Sequence, residues 1–164
     1  MSFLDLDEWL LELAQKVDVV YSPVGCDLKD YPENVDICLV EGAIANEDNL
    51  ELIHQVRNNT KTVISFGDCA VTANVPAMRN MLGSTDLVLK RAYLELGDNT
   101  PQLPVEPGIV PELLDRVVPV HEVISIDIFM PGCPPDADRI RDTLIPLLKG
   151  ETPLMKGRAM IKFG

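Results

Sequence analysis

The sequence predicts an α/β domain built on a doubly wound parallel sheet, and three observations predict it. Residues 35 to 66 read strand, helix, strand, the order of a crossover that joins two parallel strands. The strand predicted over 35–40 is nearly all apolar, as strands of a parallel sheet covered on both faces tend to be. With 164 residues, 46% of them hydrophobic, the chain suits one domain over 1–164 with a substantial core.

The elements follow in order. Phe3, Leu6, Leu10, Leu13 and Val17 recur at helical spacing. Asp5, Asp7 and Glu8 stand where the helix dipole favours negative charge, and Lys16 stands at the opposite end. Val19-Val20-Tyr21 reads as a short strand ended by Ser22-Pro23. Residues 25–34 form a polar loop holding Cys26 and Pro32. A strand over 35–40 runs into Glu41-Gly42. Asn46 is placed to cap a helix carrying Leu50, Ile53, His54 and Val56, which Asn58-Asn59 ends. The next strand, over 62–66, stops at Gly67.

Beyond it, residues 86–96 predict a helix. Prolines at 101, 104, 107, 111 and 119 make 97–121 a long surface excursion with one short helix over 111–116. A last strand, 123–129, leads to Pro131-Gly132-Cys133-Pro134-Pro135. A helix then starts near Asp136 and carries Ile140, Leu144, Leu147 and Leu148, with Pro146 expected to bend it. The tail from Gly150 is short.

Lys plus Arg is 14 and Asp plus Glu is 26, a net charge of −12. That balance opposes non-specific binding to nucleic acid, whose phosphates attract clustered cations. No apolar run approaches the roughly 18 residues of a membrane span. The opening residues are acidic where a signal peptide would be positive, so a cytoplasmic location is expected. A cytoplasmic chain of this size does not need disulfides, and the four cysteines, Cys26, Cys38, Cys69 and Cys133, are each judged separately.

In an open parallel sheet, ligands collect at the carboxyl ends of the strands. Glu41-Gly42, Gly67-Asp68-Cys69-Ala70 and Pro131-Gly132-Cys133-Pro134-Pro135 all follow predicted strands. Cys69 and Cys133 therefore fall on loops leaving one sheet edge, each with a glycine within two residues before it. Glycine lets backbone approach a bulky group closely. Rigid loops of this kind can hold thiolates for an iron–sulfur cluster. Spacing alone leaves a second reading open, that both are buried, unreactive thiols. Cys38 lies inside an apolar strand and reads as core. Cys26 lies in a loop from which it could reach a metal. His54 and His121 stand in no metal-ligand spacing. No nucleophile–base set and no glycine-rich dinucleotide fingerprint appear, so NAD(P) is expected to bind elsewhere than on this chain.

Gly67-Asp68-Cys69-Ala70 and Pro131-Gly132-Cys133-Pro134-Pro135 resemble the later cysteine motifs of nickel–iron hydrogenase small subunits. The second is similar also to a motif in an iron–sulfur subunit of NADH:quinone oxidoreductase. Val40-Glu41-Gly42-Ala43-Ile44 resembles a hydrogenase segment that follows an early strand. Residues 1–9 resemble the opening helix of the cytoplasmic, bidirectional, NAD(P)-linked group. The resemblance covers nearly the whole chain.

It implies a flavodoxin-like sheet and an electron-transfer subunit with a proximal 4Fe-4S cluster. Electrons would pass between a nickel–iron site in a large subunit and flavin- and NAD(P)-handling, iron–sulfur diaphorase subunits. Cys69 and Cys133 inherit the ligand role. Glu41 inherits a place near the cluster, either helping proton movement or as an ordinary loop carboxylate. A flavin such as FMN beside the cluster is also compatible with the fold. The family's other two ligands belong to a Cys-x-x-Cys motif just before the segment matching residues 1–9, with a strand ahead of it. Neither stands in this sequence, so the sheet is expected without its first strand. A start codon placed too late in the gene is the expected reason, and real loss of the cluster the alternative. A flavin module, a cluster-free docking scaffold and a quinone-reductase subunit are the competing functions.

Overall fold

The computed structural model describes residues 3–97 and 100–164. Met1 and Ser2 of the opening motif, and Asp98 and Asn99 of the long excursion, lie outside the described residues.

Helix α1 (Glu8–Ala14) opens the fold after a 3-10 turn, Leu4–Leu6. Strand β1 is Val35–Glu41, β2 is Ile44–Asn46, α2 is Glu47–Asn59 and β3 is Thr60–Phe66. Helix α3 (Asp68–Thr72) follows after one glycine. A 3-10 stretch, Pro76–Leu82, precedes α4 (Thr85–Leu89) and a wider π-type stretch, Lys90–Glu95. Strand β4 is Leu113–Val118 and β5 is Ile128–Met130. Helices α5 (Ala137–Leu148) and α6 (Arg158–Ile161) complete the described chain.

The principal sheet has three strands in the order β1-β3-β5, all parallel. β3 is central, and successive residues feed opposite faces. Val63 packs with Ile53 and Val56 of α2, Ala70 of α3, and Val120. Ile64 packs with Leu13 of α1, Met130, and Ile140 and Leu144 of α5. Both cores are closed, so the sheet is covered by helices on its two faces, as the apolar run 35–40 predicts. Capping follows the sequence as well. Asn46 accepts the Asn49 amide at 2.8 Å, and Asp136 accepts the Arg139 amide at 2.8 Å.

Four expectations are corrected. Residues 19–21 form no strand: Val19 and Val20 are exposed, and the chain turns at once through Ser22–Cys26. Residues 111–116 form no helix. Leu113 opens β4, which pairs antiparallel with β2, Ile44 opposite Val118 and Asn46 opposite Leu113. Branched and bulky residues fit that pleated surface. The strand expected over 123–129 is confined to Ile128–Met130. Before it, Val120–Glu122 is a 3-10 turn and the Asp127 carboxylate takes the Val63 amide at 2.7 Å, filling the ladder with a side chain. The helix expected over 86–96 begins one residue early and widens into the π-type stretch from Lys90.

Candidate functional site

Strands β1, β3 and β5 end at Glu41, Phe66 and Met130, and parallel pairing puts these ends on one edge. β3 stops because Gly67 adopts φ +84°, a left-handed conformation open to glycine at little cost. β5 stops at Pro131-Gly132, where Gly132 has φ +134°. A Cβ at Gly132 would lie 2.5 Å from Pro135 Cα, so only glycine fits.

The start of α3 and the loop after β5 are tied by a closed set of bonds. The Gly67 amide donates to the Met130 carbonyl at 2.8 Å, and the Asp68 amide to the Gly132 carbonyl at 2.8 Å. In return the Gly132 amide donates to Asp68 Oδ1 at 2.6 Å. The residue before Cys69 and the residue before Cys133 are thus bonded to each other twice. Both cysteines leave this junction toward the surface, Cys69 half-buried and Cys133 exposed. The alternative of two buried thiols does not describe Cys133.

Asp68 is 6% exposed, and its second oxygen accepts the Gly164 amide at 2.9 Å. Arg139, 5% exposed on α5, donates to the Pro131 carbonyl. It also reaches the Ala159 carbonyl at 2.7 Å and the Lys162 carbonyl at 3.0 Å. A buried carboxylate and a buried guanidinium therefore bracket the loop that carries Cys133. Sequence reasoning gave neither a role. Asp68 stood inside the quoted motif, and a charged residue one position before a candidate ligand was the available signal. Arg139 stands in the sequence beside Asp138, Arg141 and Asp142, so nothing there marked it as buried.

Glu41 sits at the same edge, in register with Phe66, and is exposed. Cys26 is engaged in its own turn: its sulfur accepts the Ser22 amide and its thiol meets the Ser22 carbonyl, both at 3.1 Å. Cys38 packs against the core on the α2 side, as expected from the sequence. Burial pushes its thiol up from the ordinary range, against a hydrogen bond from Tyr31. His54 and His121 are exposed, and His121 rests edge-on against Phe129. Among the described residues no three His, Cys, Asp or Glu converge into a group that could hold a metal ion. Cys69, expected on a loop, stands in the first turn of α3, so the donor chemistry offered at the edge is one thiol on a helix start and one on the neighbouring loop after β5, which suits two corners of a thiolate-bound cluster.

Residues 1–147 match the family described as NADH ubiquinone oxidoreductase, 20 Kd subunit, and the chain belongs to that family. Within it the chain is similar to hydrogenase subunits. It is 42% identical over 154 residues to the NAD-reducing hydrogenase HoxS subunit delta of Cupriavidus necator, covering 92% of this chain and 72% of that one. It is 37% identical over 153 residues to an F420-non-reducing hydrogenase vhu subunit of Methanocaldococcus jannaschii, covering 93% of this chain and 52% of that one. The chain thus spans about half the length of the latter. One chain of a solved NAD+-reducing [NiFe]-hydrogenase in the H2-reduced state superposes with a TM-score of 0.91 at 33% identity, over all of this chain and 90% of that one. The resemblance read from the cysteine motifs and the opening helix, to small subunits of NAD(P)-linked nickel–iron hydrogenases, is borne out.

Proposed function

We propose that this chain is the electron-transfer subunit of a bidirectional, NAD(P)-linked nickel–iron hydrogenase, with Cys69 and Cys133 as two thiolate ligands of a proximal 4Fe-4S cluster. The observation that carries the reading is the doubly bonded Asp68–Gly132 junction, which holds the start of α3 and the Cys133 loop side by side at one sheet edge. Such a cluster supplies one-electron transfer. The chain's own residues position it: the junction sets the two segments, and the cores on both sheet faces keep them rigid. Glu41, exposed at the same edge, is proposed to lie beside the cluster, where its carboxylate can relay protons at the subunit boundary.

Partner docking has its own support. The helical stretches from Pro76 to Glu95 bury no residue, and Met78, Met81, Leu82 and Leu87 are exposed along them. Apolar surface of this kind marks an interaction site. It follows directly from α3, which carries Cys69, so a large subunit seated there would bring a nickel–iron centre close to the cluster. NAD(P) and its flavin belong to diaphorase partners, and an FMN on this chain is the less supported placement. Among the described residues no helix is long and apolar enough to cross a membrane. A cytoplasmic location is part of this proposal.

A four-iron cluster takes two more thiolates than this pair supplies. The resemblance assigns them to a Cys-x-x-Cys motif, and the coding sequence upstream of Met1 is where an in-frame copy is to be sought. The solitary pair favours one second reading, a cluster-free scaffold that only docks the large subunit. Iron and acid-labile sulfide in the complex with the large subunit separate the two. About four acid-labile sulfides per chain are expected, with about four irons beyond the one in the large subunit's nickel–iron centre; an assembled complex free of acid-labile sulfide would overturn the cluster and leave the scaffold.

A further inference from the structure

We infer that Asp68 and Arg139 are positioning residues for the thiol pair, acting on a single peptide unit rather than on the sulfurs. The inference rests on the ligand reading above and deepens it.

The Pro131–Gly132 peptide is gripped at both ends. Its carbonyl accepts from the Arg139 guanidinium, and its N–H donates to Asp68 Oδ1 at 2.6 Å. The next residue is Cys133. At the start of α3, the Asp68 amide holds the Gly132 carbonyl, and the next residue is Cys69. Asp68 is thus the one side chain bonded to the backbone of the Cys133 loop from a residue adjoining Cys69. Both its oxygens accept N–H donors, from Gly132 and from Gly164. An asparagine has one acceptor oxygen and one NH2 donor, so it leaves one of those donors facing another donor. Both charged groups are buried, and removing either leaves buried polar groups unsatisfied. A peptide held in this manner cannot rotate, which fixes where the Cys133 backbone leaves the sheet and so the separation of the two sulfurs.

A comparable bond set where β5 begins, before the strand ends that carry the thiols, serves as control. Asp127 accepts the Val63 amide and Arg57, each at 2.7 Å, and touches no cysteine loop. Asp127→Asn weakens the fold without touching the edge that carries the thiols.

The test uses phenylarsine oxide on the reduced, cluster-free full chain. Two neighbouring thiols condense with one arsenoxide and release one water, with no change of thiol oxidation state. The wild-type chain is expected to retain one equivalent, and Cys133→Ser to lose it. Asp68→Asn is expected to retain the reagent at least tenfold more weakly, and Asp127→Asn as wild type, all measured below the lowest melting temperature. Arg139→Lys keeps the charge but loses the guanidinium fork, and an intermediate loss is expected; it decides the matter where Asp68→Asn does not fold. In the iron-loaded complex, the paramagnetic resonance line shape of the reduced cluster is expected to change in Asp68→Asn and not in Asp127→Asn. Wild-type retention in Asp68→Asn, or in a sole folding Arg139→Lys, overturns the positioning role and leaves the ligand reading intact. A wild-type chain that captures nothing, or capture that survives Cys133→Ser, overturns the ligand reading itself.

Discussion

Asp68 and Arg139, far apart in the sequence, hold opposite ends of the same peptide bond. Both groups are buried, and their partners are mostly backbone. The arrangement converts two buried charges, each costly alone, into a fixed loop geometry. The glycine between them has no room for a side chain.

Gly132→Ala is therefore expected to be strongly destabilising. It adds a left-handed φ penalty and a contact at 2.5 Å with Pro135, together about 3 kcal/mol. Gly42→Ala also stands at positive φ, +90°, but a Cβ there meets nothing within 4 Å. Only the conformational cost applies, about 1 kcal/mol. Urea unfolding of the two variants measures the difference, and equal losses would contradict it.

Arg139→Ala removes the donor to Pro131, Ala159 and Lys162 at once. A loss of about 3 kcal/mol is expected, because three carbonyls forfeit a charged partner. Hydrogen exchange checks where the loss falls. Protection is expected to drop first over 157–164, while Val63 and Ile64 in β3 keep theirs.

Acid should attack the start of β5. Burial alone would raise the Asp127 carboxyl, but the Val63 amide and Arg57 outweigh it and hold the group below its usual range. A depressed carboxylate stabilises the fold above its unfolded value, near 3.9, and that contribution is lost as pH falls through the lower folded value. Asp127→Asn is expected to cost about 1 kcal/mol at neutral pH, discounted because the side chain is 44% exposed. The wild-type advantage should shrink as pH drops below 4 and vanish at the lowest pH, which thermal melts across that range would show.

Thiol reactivity is expected to rank by access and ionisation. Cys133 is exposed, whereas Cys38 is partly buried with its thiol pushed up by burial. Alkylation at neutral pH followed by mass mapping should modify Cys133 early and Cys38 last. Cys38 reacting as fast as Cys133 would contradict the packing described.

Much of this was legible in the sequence because local chemistry and tertiary demand agreed. The apolar run 35–40, the Asn46 cap and the Gly67 stop each specify their element without help from distant residues. That Cys69 and Cys133 leave one sheet edge followed from the expected strand polarity, while their pairing as ligands came only from the family resemblance. What failed depended on partners. β4 exists because β2 lies beside it, and Leu113-Leu114 reads equally well as helix when that partner is unseen. Val123 and Ile124 read as strand, yet Ile124 packs into the α2-side core after a 3-10 turn. Asp68 and Arg139 were overlooked because their partners are backbone atoms, which leave no mark in a residue pattern.

The most direct test replaces each cysteine singly in the complex with the large subunit and records the paramagnetic resonance of the reduced cluster. Cys69→Ser and Cys133→Ser are expected to abolish or convert the four-iron signal, while Cys26→Ser and Cys38→Ala leave it unchanged. An undisturbed signal in either of the first two variants would contradict the account.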